Sequence, residues 1–148
     1  MLLLTGATGF IGRELTSKLI QSGMDIRLLL RPRRKTPMLQ KGVAFNIAIS
    51  GLDDQRGLQA AMRNVDTVIH LASVENHPDY IGFDQVDIQG TNNLVSAAKY
   101  AGVKHIVYLS RIGADKNSSY PIFRAKALAE QTISNCGINY TIMRTTDV

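Results

Sequence analysis

The sequence predicts a doubly wound parallel α/β sheet, with about six strands in the order 3-2-1-4-5-6 and helices on both faces. Three observations predict it. Short continuous apolar runs alternate with helical patterns along the whole chain. A glycine-rich stretch, "TGATGFIG" (5–12), joins the first apolar run to the first helical pattern, and glycines stand just past three of the four helical patterns.

Strands are expected near 1–5, 25–30, 43–48, 66–71, 104–110 and 138–143, carried by runs such as "MLLLT", "IRLLL", "TVIHL", "HIVYLS" and "YTIMR". Apolar character that is continuous, not alternating, suits strands covered by helices on both faces. Helices are expected near 10–22, 54–63, 80–101 and 119–135, where Leu15 with Leu19 and Leu58 with Met62 form i,i+4 pairs turned to the sheet. Gly23, Gly102 and Gly137 mark stops. In "RPRRKTPMLQKG" (31–42), two prolines and dense positive charge argue against a regular helix. Right-handed crossovers give the strand order and put ligands at the carboxyl ends of the strands, beside the reversal between strands 1 and 4.

At 148 residues, 45% hydrophobic and 20% charged, the chain supports one domain, 1–148, with one good core. No apolar run approaches the roughly 18 residues of a membrane span. The first strand begins almost at Met1, leaving no room for a secretory leader, and Cys136 stands alone, so a cytoplasmic location is expected. Of seventeen basic residues, four lie in "RPRRK" (31–35); elsewhere thirteen face twelve acidic residues. That concentration suits a local phosphate clamp better than a nucleic-acid surface, and no nucleic-acid or membrane partner is expected. Three scattered histidines and one cysteine show no metal-ligand spacing.

The glycine loop has the context of a dinucleotide site: strand before, helix after, a βαβ unit around it. Gly6 permits the sharp turn, Gly9 lets the backbone approach a pyrophosphate, and Gly12 lets the helix pack closely. The pyrophosphate would rest on the free N–H groups of a helix N-terminus, where the helix dipole favours an anion. The second strand ends "LLLRPRR", with no acid to hold the ribose hydroxyls. Arg31 can lie on the adenine face while Arg33, Arg34 or Lys35 reaches a 2′-phosphate, so NADP is expected over NAD. A solvated basic loop is the alternative.

With "HLAS" (70–73), "QGTNNLVSAAKYAGVKHIVYLSRIGA" (89–114) and "FRAKALAEQTISNCGINYTIMRTT" (123–146), the chain resembles the short-chain dehydrogenase/reductase superfamily. Its atypical and extended branch, with NmrA-like NAD(P)-binding and epimerase-like proteins, is the nearest match. The resemblance implies a Rossmann fold and a nicotinamide dinucleotide. It places Gly6, Thr8, Gly9, Phe10, Ile11 and Gly12 at the pyrophosphate and Arg31 at the adenosine phosphate. His70, Leu71 and Ala72 would meet the cofactor ribose, His70 having a buried strand position as its alternative. Ser110 would polarise a substrate carbonyl, Lys126 would hold the nicotinamide ribose, and Thr145 and Thr146 would line the nicotinamide side. Helices 80–101 and 119–135 would form a homodimer interface.

Three positions depart from the family pattern. The aspartate that accepts the adenine amino group is replaced by Gly51, leaving Asp53 or a backbone carbonyl beside it, at Leu52, to substitute. Arg144 is followed by Thr145 where relatives carry proline, and the tyrosine expected four residues before Lys126 is Ile122. Isoleucine cannot pass a proton. Tyr120, six residues before Lys126, could do so only if it precedes the helix, with Pro121 in the first turn. Lys126 itself could act as acid or base, or the cofactor could bind without turnover.

Extended relatives carry a substrate-binding portion after the sixth strand, so a fragment is expected, without turnover on its own. The resemblance implies the NADP(H)-binding domain of an atypical reductase or epimerase-like oxidoreductase acting on a small carbonyl compound. The alternative is a non-catalytic NADPH-sensing regulatory or assembly protein.

Overall fold

A computed structural model describes residues 1–32, 45–74 and 82–146. Six strands, β1 (Leu2–Thr5), β2 (Ile26–Leu30), β3 (Asn46–Ile49), β4 (Thr67–His70), β5 (His105–Arg111) and β6 (Asn139–Thr145), pair in the order β3-β2-β1-β4-β5-β6. Every pairing is parallel, with Leu2 opposite both Ile26 and Thr67. The expected strand order is therefore present. The helices are α1 (Phe10–Gln21), α2 (Gln55–Ala61), α3 (Gly90–Ala101) and α4 (Pro121–Ser134). A seven-residue π-helical segment, Phe83–Gln89, leads into α3.

The apolar runs divide their side chains between two cores. Leu3, Leu29, Val68 and Ile106 face Leu58, Leu94 and Ile133 of α2, α3 and α4. On the opposite face Leu2, Leu4, Ile26 and Leu28 meet Leu15, Leu19 and Ile20 of α1. Burying one such side chain contributes about 1.5–3 kcal/mol, which is why these runs cannot tolerate a polar insertion. Gly102 closes α3 in the left-handed region, with its own N–H and that of Val103 returning to the last turn.

Two expectations need correcting. The helix read as continuous over 80–101 is a π-helical turn followed by α3, and positions 80 and 81 lie outside the described residues. Coverage on both sheet faces holds at β1 and β2 but not at β6, whose residues are mostly exposed, with Tyr140 and Met143 near half accessibility. β5 shows the same asymmetry: Ile106, Tyr108 and Ser110 are buried while Val107 and Leu109 are only half-buried. An apolar run specifies a strand but not whether a helix lies over each side of it. Among the described residues no helix is long and apolar enough to cross a membrane.

Candidate functional site

The carboxyl ends of β1, β2 and β4 open into a cleft of about 880 Å³, within the usual range for a bound small molecule. The β1–α1 loop forms its floor. Gly6 holds a φ of +74°, and a Cβ there would stand 2.7 Å from the Ala72 backbone nitrogen. A Cβ on Gly12 would run into the Gly6 carbonyl oxygen. These two glycines let the loop, α1 and the end of β4 pack backbone against backbone. Gly9 caps α1 without a side-chain hydrogen bond, and no acidic residue occupies the first turn. The helix N-terminus therefore presents its N–H groups and positive dipole end to the cleft.

Thr8, Gly9, Phe10, Ile11 and Gly12 line this floor, as do Gly6, Arg31, Leu71, Ala72 and Lys126 around it. Leu52 and Asp53 line the side beyond β3. The Asp53 carboxylate occupies the space that a side chain at position 51 would fill, so it sets an acid where Gly51 cannot. The Leu52 carbonyl already accepts a 2.8 Å hydrogen bond from Asn93, which leaves Asp53 as the more available acceptor. Asp54 caps α2 through the Gly57 N–H. Arg33 and Arg34 fall outside the described residues, as do Lys35 and His77.

His70 does not line the cleft. It is fully buried, stacked on Tyr108, with Thr5 Oγ1 2.7 Å from Nδ1 and Thr91 Oγ1 3.1 Å from Nε2. Proton accounting fixes its tautomer. The Thr91 hydroxyl donates its one hydrogen to the Asp87 carbonyl at 2.6 Å, so it accepts from Nε2–H, and Nδ1 accepts from Thr5. Burial, reinforced by the Lys126 charge, pushes the His70 pKa down to about 3. His70 thus occupies the buried strand position and ties the end of β1 to α3.

Ser110 and Tyr120 also stand away from the cleft lining. Ser110 is buried, and its hydroxyl donates at 2.5 Å to Glu130, one turn beyond Lys126 in α4. Glu130 in turn accepts two hydrogen bonds from Arg144, at 2.9 and 2.6 Å. Burial works against the Glu130 charge, but the hydrogen bonds from Arg144 and Ser110 outweigh it and hold the carboxyl below its usual range. Tyr120 caps α4 in extended conformation, and Pro121 begins the helix. The condition for its escape from the helix is met, yet its ring is 68% exposed and packs edge-on against Phe123. Thr145 ends β6, with Oγ1 3.4 Å from the Ser110 carbonyl. Ile122 packs against the small apolar cluster of Val74, Phe83 and Ala125.

Lys126 is the buried charge of the site, only 4% exposed. Its Nζ lies 3.4 Å from the Leu109 carbonyl, 5.4 Å from the centre of the Tyr108 ring and 3.5 Å from Asp87 Oδ1. Burial lowers its pKa, and Asp87 opposes that shift. Asp87 is wholly buried in the π-helical segment, and the sequence gives no sign of it. Nothing in "FDQVDIQG" distinguishes it from Asp84, which is exposed. Gln89 and Asn93, hydrogen-bonded to each other at 2.9 Å, also line the cleft unforeseen, and their i,i+4 spacing was the available signal.

Comparison with known proteins places this geometry. Residues 6–148 match the model of a family described as NAD(P)H-binding. The photosystem II assembly factor Ycf39 of Cyanophora paradoxa is 29% identical over 143 residues, 97% of this chain and 44% of that protein. A (4-alkanoyl-5-oxo-2,5-dihydrofuran-3-yl)methyl phosphate reductase of Streptomyces griseus is 30% identical over 145 residues, 97% of this chain and 46% of the reductase. Among solved structures, a nucleoside-diphosphate-sugar epimerase of Staphylococcus aureus superposes with a TM-score of 0.80 at 29% identity. The match covers 97% of this chain and 49% of the epimerase, so the chain spans less than half the length of these proteins.

Proposed function

The chain belongs to the NAD(P)H-binding family, and from that premise we propose that its cleft takes NADP(H) as the cofactor domain of an atypical reductase or epimerase-like protein. The observation that carries the reading is the α1 N-terminus, free of acidic side chains and set into the cleft beside Gly6 and Gly12. The pyrophosphate would lie on the N–H groups of residues 10 to 12, with Arg31 at the adenosine end and Lys126 at the nicotinamide ribose. Asp53 would accept the adenine amino group. The preference for the 2′-phosphate rests on Arg31 at the rim and on the absence of an acid at the end of β2.

When bound, the cofactor supplies hydride; this chain's residues bind and orient it. Proton transfer is the weak link. Ile122 cannot donate, the Ser110 hydroxyl is committed to Glu130, and Tyr120 is exposed against Phe123, outside the cleft lining. These features favour a second reading, in which the cofactor is bound without turnover in a protein with an assembly role, as the name of the Cyanophora relative describes for that protein.

Titrating the protein with NADPH and NADH by nicotinamide fluorescence tests the first proposal. A charge-assisted contact contributes about 1.5–3 kcal/mol, so NADPH should bind roughly tenfold or more tightly, and Arg31→Ala should close much of the gap. Equal affinities in the unaltered protein would refute the NADP preference. Oxidation of NADPH across a panel of carbonyl compounds separates the two readings: turnover selects the reductase, and tight binding without turnover selects the assembly or sensing role.

A further inference from the structure

Leu71 and Ala72 stand where β4 runs into the cleft, and one residue of β1 holds both of them. Thr5 accepts the Leu71 N–H at its main-chain oxygen and the Ala72 N–H at its hydroxyl oxygen, each at 3.3 Å. The next residue is Gly6, where a Cβ would stand 2.7 Å from the Ala72 nitrogen and 2.8 Å from the Leu71 carbonyl oxygen. The end of β4 therefore lies against the first glycine of the loop with no side chain between them. A small displacement of Ala72 is enough to change that contact.

A hydroxyl has one hydrogen and two lone pairs. Thr5 is buried, so its hydrogen needs an acceptor within the protein, and only when that hydrogen is placed elsewhere does a lone pair stand free for Ala72. His70 Nδ1, 2.7 Å away, takes the hydrogen. Nδ1 accepts only in the Nε2–H tautomer, which Thr91 sets on the far side of the ring, its own hydrogen being spent on the Asp87 carbonyl. A directed chain thus runs from Ala72 through Thr5, His70 and Thr91 to Asp87, each group donating to the next. Stacking on Tyr108 fixes where the imidazole sits but not which nitrogen carries the hydrogen. We propose that His70 is a positioning residue of the dinucleotide site: by accepting the Thr5 hydrogen it turns the hydroxyl lone pair to Ala72 and holds the end of β4 against Gly6. The inference rests on the cofactor reading above and adds to it a residue set behind the cleft wall.

Four variants separate the hydrogen bond from packing. His70→Leu fills the space without an acceptor, His70→Asn returns a carboxamide oxygen near the place of Nδ1, and Thr5→Val removes the hydroxyl. Val68→Ala opens a cavity in the same strand, away from the chain of hydrogen bonds. All four should lower the melting temperature. NADPH affinity, read by nicotinamide fluorescence, should fall roughly fivefold or more in His70→Leu and Thr5→Val, the worth of about one hydrogen bond. His70→Asn should recover most of it, and Val68→Ala should stay within about twofold of the unaltered protein. Two resonances need no cofactor. The Ala72 amide should shift in His70→Leu and Thr5→Val and return toward its original position in His70→Asn. In the unaltered protein the 15N shifts of His70 should place the hydrogen on Nε2, a readout that survives even if a variant fails to fold. A hydrogen on Nδ1, an unmoved Ala72 amide in folded Thr5→Val, or an affinity that falls as far in Val68→Ala as in Thr5→Val would overturn the proposal. A protein that fails to bind NADPH sinks the cofactor reading, while the two resonances still decide what His70 does.

Discussion

Lowering the pH from 7 to 5 probes whether His70 is held neutral in the folded protein. Its folded pKa lies at about 3 against an ordinary 6.5, because burial disfavours the imidazolium and the Lys126 charge adds to that. Between those values the unfolded chain binds a proton that the native state refuses. The stability contribution is therefore complete above about pH 6.5 and is lost as the pH falls toward 3, at about 1.4 kcal/mol per pH unit. At pH 5 the loss relative to pH 7 is about 2 kcal/mol. The depressed carboxyls of Asp66 and Glu130 start from ordinary values of 3.8 and 4.5, so most of their own losses fall below this window. Urea unfolding at the two pH values should show a midpoint drop on the order of 1 M, taking a slope near 2 kcal/mol per M. His70→Gln, which forfeits the ring and its two hydroxyl partners, should start less stable at pH 7 but show a much smaller drop. Equal drops in the two proteins would refute the reasoning, because the proton uptake would then belong to another group.

Two further outcomes concern the cleft. Gly12→Ala drives a methyl group into the Gly6 carbonyl, so it should lower the melting temperature, in line with the about 1–3 kcal/mol of overpacking, and weaken NADPH and NADH alike by at least roughly tenfold. Retained binding by calorimetry would show that the loop can open without α1. Asp53→Ala should weaken both cofactors by roughly fivefold, the worth of about one hydrogen bond, without altering their ratio. A change confined to NADPH would move Asp53 from the adenine to the phosphate.

Much of this fold was legible because its cause is local. Runs such as "IRLLL" must be buried on both sides, and glycines at 6 and 12 allow backbone contacts that a side chain would block. Lys126 was legible through its place in a family motif, and Asp53 through the gap left at Gly51. What stayed hidden depends on distant partners. Ser110 reads as a free hydroxyl until Glu130, twenty residues on, is seen to take its hydrogen. Asp87 reads as one more polar residue of a helix, since the lysine that explains it comes from another element. The open side of β5 and β6 was hidden for a related reason: "HIVYLS" has the same letters whether or not anything covers it.

The π-helical turn at Phe83–Gln89 gives that stretch an unusual relation to sequence length. A widened turn holds one residue more than an α-helical path would need. Removing one residue between Phe83 and Val86 would let the helix rewind and swing Asp87 by about 100° relative to Lys126, with the remaining side chains between Gly82 and Gly90 chemically intact. Spacing, more than composition, then sets whether the Asp87 carboxylate stands 3.5 Å from the Lys126 ammonium.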